Sequence, residues 1–218
     1  MSLKQVIQYS CPRCGTRQPF TIWQTLNASI DPQARTDLLQ GRLLEFVCNR
    51  CKEHTGVNYP LLYHEPDRQF MICLRSAEDS SPLPKAKLFP FGGIAENYLL
   101  RIVDEGRKLV EKILILEAEL DDRLVELAKV ITKMNLANHG FESTDTLLFF
   151  EADQTETGNG TITFAWFSST ETRKHRIPID LYNVLGREFS AELGSGKLGE
   201  WLKIDQSYAL TMVAKHKA

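Results

Sequence analysis

The sequence predicts an α+β protein with an N-terminal β module, central helices and a C-terminal β-hairpin followed by mixed α/β elements. Three observations carry this. Two cysteine pairs, CPRCG at Cys11–Gly15 and CNRC at Cys48–Cys51, sit among short β-patterned runs. An apolar stripe at helical spacing runs from Leu109 to Met134. Alternating apolar runs return in TLLFFEAD and GTITFAWFS.

LKQVIQY reads as a strand entering the first cysteine pair, and RQPFTIWQTLNA as a second strand with Phe20, Ile22 and Leu26 toward one face. SIDPQARTDLLQG has the order of a short helix. Asp31 stands as N-cap, Pro32 at the first helical position, Leu38 one turn after Ala34, and Gly41 as the stop. RLLEFV extends into the second pair. TGVNYPLLYH and QFMICLR flank the turn EPDR, a hairpin set by Pro66 and Asp67. These elements assign residues 1–75 to one module with short strands and a small core, which a metal staple would strengthen.

Residues 76–93, SAEDSSPLPKAKLFPFGG, read as a linker rich in proline and serine. Residues 94–137 read as a helical segment. Leu109, Ile113, Leu116, Leu120, Leu124, Leu127, Ile131 and Met134 step by three or four, and Leu99 and Ile102 prolong the stripe upstream of Gly106. The pattern suits one long helix or two, with a cap signal at Asp121–Asp122. The stripe is expected to pack on its own domain; self-association through it is the rival. Residues 138–218 form a C-terminal α+β part. There TLLFFEAD and GTITFAWFS make a hairpin about the turn QTETGNG, HRIPIDL a short strand, YNVLGREFSAEL a helix, and SYALTMVAK a last strand.

The net charge of −2 argues against a surface coated for nucleic acid. Residues 1–75 are mildly basic, with nine Lys or Arg against six Asp or Glu. No apolar run is long enough to span a bilayer, and MSLKQVIQYS lacks the layout of a signal peptide. The expectation is a cytoplasmic chain with no membrane partner. Thiols stay reduced there, so paired cysteines mean metal or redox chemistry rather than structural disulfides.

Two residues between cysteines let both sulfurs of one tight turn reach a single ion. Two such turns supply four thiolates, the full tetrahedral shell of a structural Zn²⁺. Cys11, Cys14, Cys48 and Cys51 are therefore the expected ligands of one Zn²⁺ in a zinc-ribbon-like module, with iron as the other metal a four-thiolate site takes. Pro12 stiffens the first turn and Gly15 lets its backbone fold back; CNRCK lacks both aids. Dithiol redox chemistry is the alternative. It wants a helix N-terminus beside the attacking thiol, which CPRCGTRQPF does not promise.

CPRCG, then WQTLNASIDP, LLQGRLLEFVCNRC and YPLLYHEPDRQFMI, resembles the CpXC family of bacterial and archaeal proteins over residues 8 to 75. The later LLRIVDEGRKLVEKILILEAELDDRLVELAK resembles the helical part of longer members. The resemblance implies that Cys11, Cys14, Cys48 and Cys51 bind metal, and it implies no activity. Asn49 and Lys52 stand where the pattern usually has Pro and Gly.

Other candidates read as structural. His54 follows the second pair but four cysteines already suffice, and His64 beside Glu65 and Asp67 sits at a hairpin turn. GSGK at Gly194–Lys197 lacks the rest of a phosphate loop, with Ala191 and Leu198 at the deciding positions. Cys73 reads as a small buried hydrophobe, and Asp104, Glu105, Asp121 and Asp122 as a solvated helix face or a cap. Arg13, Arg17, Arg50 and Lys52 flank the cysteine turns near Phe20 and Trp23, a combination that can hold single-stranded nucleic acid by charge and stacking. With a closed metal site and no catalytic set, the sequence points to a non-enzymatic adaptor whose partner is another protein. Nucleic-acid binding and thiol-redox catalysis are the alternatives.

Overall fold

The computed structural model describes residues 1–76, 78–79, 82–83, 94–137, 142, 145–153, 160–194 and 197–216. Among them run β1 (Leu3–Ser10), β2 (Arg17–Asn27), α1 (Pro32–Leu39), β3 (Glu45–Val47), β4 (His54–Gly56), β5 (Leu61–Glu65), β6 (Phe70–Leu74) and β7 (Leu99–Val103). Then come α2 (Gly106–Glu117), α3 (Asp122–Leu136), β8 (Thr146–Asp153), β9 (Thr161–Phe167), β10 (Thr172–Pro178), α4 (Ile179–Glu188), α5 (Ser190–Leu193), β11 (Trp201–Leu202) and α6 (Gln206–His216). The protein is mixed α+β. It divides into two compact units, Met1–Val110 with Lys197–Leu202, and Glu111–Gly196 with Lys203–Ala218. The division falls inside α2, while most of the proline-rich stretch 76–93, like the turn at 154–159, lies outside the described residues.

The first unit is built on a six-stranded sheet of order β1-β2-β5-β6-β7-β11 and a small β3-β4 hairpin. β5 and β6 pair antiparallel about the turn at Pro66–Gln69, as the sequence indicates. Every residue of β6 is buried, Cys73 included, because a strand covered on both faces carries a continuous apolar run rather than an alternating one. Leu26, Leu61, Tyr63, Ile72, Leu74 and Leu100 form its fully buried interior. α1 begins at Pro32 after Asp31 and ends before Gly41, whose φ of +77° is the left-handed value that stops a helix.

Leu99–Val103 is a strand, correcting the helical extension of the stripe. LLRIV suits either period, and the free edge of β6 decides, pairing Phe70 with Leu99 through Leu74 with Val103 in parallel. The stripe itself forms two helices. Glu119 between them has φ +57°, which no right-handed helix accommodates, and the Asp121 carboxylate accepts the Arg123 amide at 2.9 Å to cap α3.

In the second unit, α2 beyond Val110 and α3 to α6 accompany an antiparallel sheet of order β10-β9-β8. Ile115, Val125, Leu127, Ile162, Phe164 and Ala209 are fully buried in one cluster. SYALTMVAK is helical in α6, not a last strand. Ala209 and Met212, one turn apart, are its buried residues, and Asp205 accepts the Tyr208 amide at 3.1 Å at its start. Asp122 also departs from the expected solvated face. It is 1% exposed and pairs with Lys112 at 3.0 Å, and Lys112 is itself 2% exposed and donates to the Ile204 carbonyl. Beside this pair, buried Lys129 bonds Glu111 at 2.8 Å and Glu126 at 2.9 Å, while Glu111 accepts the Phe149 amide.

Candidate metal centre

Each cysteine pair forms the turn of a β-hairpin. β1 and β2 close on Ser10 opposite Arg17, and β3 and β4 on Val47 opposite His54. The two turns share one backbone pattern. The Cys11 amide donates to the Thr16 carbonyl and the Gly15 amide to the Cys11 carbonyl, both at 2.9 Å. In the second turn the Cys48 amide donates to the Glu53 carbonyl at 2.9 Å and the Lys52 amide to the Cys48 carbonyl at 3.0 Å. A chain folded back this tightly presents both sulfurs of its pair on one side.

Gln18 joins the turns. Its side chain donates to the Val47 carbonyl at 2.9 Å and accepts from the Asn49 amide at 2.7 Å. Beneath the sulfurs Tyr9, Phe20, Phe46 and Tyr59 pack ring to ring, with Tyr9 and Phe46 4.6 Å apart. The cluster also takes in Cys11 and Cys48, 2% and 0% exposed. One side of the site is therefore dry, and Cys14 and Cys51 lie nearer the surface.

The four Sγ atoms lie within 4.8 Å of one another. Cys11 and Cys51 are 3.6 Å apart, as are Cys14 and Cys48. These distances exceed the bond of a disulfide, ~2.05 Å. They match the edge of a tetrahedron whose centre lies ~2.3 Å from each sulfur, about 3.8 Å. The electrostatics favour a cation as well. Hydrogen bonding from the Thr16 hydroxyl and amide lowers the Cys14 thiol to about 6. The Cys51 amide, then that of Arg50, helps lower Cys48. At Cys51 the Glu53 amide also lowers, but desolvation and the three neighbouring sulfurs outweigh it and push the thiol up to about 12. The cluster resists carrying four negative charges by itself, and a bound cation removes that resistance.

His54 turns instead to Glu45, with Nδ1 2.9 Å from the carboxylate. His64 lies half-buried on β5, between Asn27 and Tyr98. Of GSGK, residues 195–196 lie outside the described residues, and Lys197 pairs with Glu200. Arg13, Arg17, Arg50 and Lys52 are all exposed around the turns, and Arg13 pairs with Glu53 at 3.1 Å. Trp23 is 8% exposed and Phe20 belongs to the aromatic cluster, so the two rings serve the core. Sequence reasoning missed Thr16 and Gln18. Their signal was faint: polar residues just after a cysteine pair, where a sulfur and a second turn need hydrogen-bond partners.

Fold and site together define a mixed α+β protein carrying a four-cysteine metal-binding module. The chain belongs to the CpXC family, whose model, described as CpXC protein, matches residues 9–129. The match spans both cysteine pairs, β7, α2 and the first half of α3. Neither the curated proteins nor the solved structures gave a match. No helix among the described residues is long and apolar enough to cross a membrane.

Proposed function

We propose that Cys11, Cys14, Cys48 and Cys51 hold one Zn²⁺ as a structural centre, and that the chain is a non-enzymatic cytoplasmic adaptor whose partner is another protein. The observation that carries this reading is the convergence of four sulfurs within 4.8 Å at the tips of two hairpins. Four protein ligands leave no position for water or substrate, so the ion stabilises the module and takes no part in a reaction. Zn²⁺ rather than iron is the reading because it is the usual ion of a closed tetrahedral thiolate set. Reduced thiols suit a cytoplasmic setting.

A nucleic-acid role draws support from the exposed Arg13, Arg17, Arg50 and Lys52, but of the two rings beside them Trp23 is buried and Phe20 packs against Tyr9, Phe46 and Tyr59. Redox catalysis lacks a helix N-terminus at either turn, for both pairs lie between strands. Self-association through the helical stripe has little surface to use, because Met134 is the exposed member of the stripe.

A native mass spectrum of the protein purified gently from its own host tests the proposal. One zinc per chain with a bound protein is expected. A metal-free or iron-loaded chain overturns the zinc assignment. Bound nucleic acid, released by Arg13→Ala with Arg50→Ala, replaces the adaptor reading with the nucleic-acid one.

A further inference from the structure

His64 stands on β5 opposite Asn27, the last residue of β2. Each ring nitrogen has one polar neighbour. Asn27 Nδ2 is 3.2 Å from Nδ1, and the Tyr98 hydroxyl is 3.3 Å from Nε2. The orientation of the Asn27 amide is fixed from its other side. Its Oδ1 accepts the backbone amides of Ser29 and Ile30, both at 3.1 Å, and only an oxygen can do so. The NH₂ group therefore faces His64. An NH₂ offers donors alone, so Nδ1 accepts, and the ring proton sits on Nε2 and is donated to the Tyr98 hydroxyl. That is a neutral imidazole in one defined tautomer. A second proton would go onto Nδ1, facing the Asn27 NH₂ donor to donor in a half-buried place.

We propose that His64, Asn27 and Tyr98 form an acid-sensitive latch, in which the neutral ring locks the turn after β2 to β5 and protonation of His64 releases it. Asn27 is placed to transmit the change. Its carbonyl accepts the Asp31 amide at 2.9 Å, its side chain holds Ser29 and Ile30, and the turn runs directly into α1.

The surrounding groups work in the same direction. Burial first, and then the Met1 ammonium, hold the ring's pKa below the usual histidine value. β6 places uncharged Met71 opposite His64. The nearby acids make their hydrogen bonds elsewhere: Asp67 accepts from the Ser29 hydroxyl at 3.1 Å, and Glu65 is buried 3.5 Å from the Tyr63 hydroxyl. Both act on Tyr98, whose pKa burial and then these carboxylates raise, so it stays a neutral phenol. A histidine depressed in the folded state contributes stability that is complete above its unfolded value of about 6.5, and that is lost as pH falls toward the folded value.

Nuclear magnetic resonance of the full chain tests the latch. The His64 nitrogens should report the Nε2-protonated tautomer at neutral pH and a midpoint below 6.5, and the Ser29 and Ile30 amide shifts should move with that same midpoint. Asn27→Asp keeps the acceptor for Ser29 and Ile30 but turns a carboxylate oxygen toward the ring. It should raise proton affinity at His64 at least tenfold. An Nδ1-protonated ring, a midpoint at or above 6.5, or amides of Ser29 and Ile30 that ignore the titration would each overturn the proposal. If Asn27→Asp does not fold, the wild-type tautomer and amide titrations decide alone.

Discussion

Gly15 and Lys52 occupy the same point of the two cysteine turns, one residue after the second cysteine, with φ of +69° and +59°. Each donates its amide to the carbonyl of the first cysteine of its pair. One turn meets the left-handed requirement with the residue suited to it; the other forces a lysine into it. An L-residue costs ~1–2 kcal/mol in that conformation. The extra freedom of glycine in the unfolded chain offsets part of any gain from replacing it.

Lys52→Gly should therefore stabilise the metal-loaded protein by about 0.5–1 kcal/mol. Gly15→Ala should destabilise it by a similar amount, since nothing lies within 4 Å of the added Cβ and only the backbone objects. Denaturant titration of both variants at fixed zinc measures this. A Lys52→Gly variant no more stable than the parent would mean the lysine side chain supports the turn.

The metal should be held by four thiolates and tuned by their neighbours. Cys48→Ser removes a buried sulfur and should abolish stoichiometric zinc retention in competition with a chelator. Thr16→Val removes only the hydroxyl 3.3 Å from Cys14 and should weaken zinc about tenfold with the fold intact. Equal retention in both variants would place the metal elsewhere.

Lys129→Met leaves Glu111 and Glu126 facing each other without the ammonium that bonds both. Breaking a buried ion pair from one side costs about 3–5 kcal/mol. Burial already pushes the Glu126 carboxyl above its usual range. Adding Glu126→Gln should recover part of the loss, so thermal unfolding of the double variant should be less than the sum of the singles. Strict additivity would show that the two residues do not act as one network.

Asp121→Ala should cost about 1 kcal/mol through loss of the α3 cap, with a further contribution from Arg123, whose guanidinium grips the same carboxylate at 2.6 Å. Circular dichroism should show lower thermal stability with nearly unchanged helix content. A cost near zero would mean that the Glu119 turn alone separates α2 from α3.

Several elements were legible because their signals are local. Pro32 after Asp31 fixes where α1 begins, and Pro66–Asp67 sets the β5–β6 turn. LLRIV and SYALTMVAK were not legible, since five to nine apolar-rich residues fit a strand or a helix equally. An open edge on β6 resolved the first. The second turned on Asp205, a capping carboxylate whose partner lies three residues on. At the candidate site the sulfurs could be named but their supports could not, because Thr16 and Gln18 carry no pattern beyond being polar.

By itself the sequence named the four candidate cysteines, since a two-residue gap lets both sulfurs of a tight turn reach one ion. It also determined the apolar stripe of α2 and α3, a matter of period alone. The tertiary structure decided that Cys11 lies beside Cys51 and Cys14 beside Cys48, that Lys52 adopts a left-handed backbone, and that Lys112 and Lys129 are interior residues. The reason is the same in each case. Whether a charge or a strained backbone is tolerable depends on partners brought close by folding, and Lys112 meets Ile204 only when residues 92 positions apart are packed together.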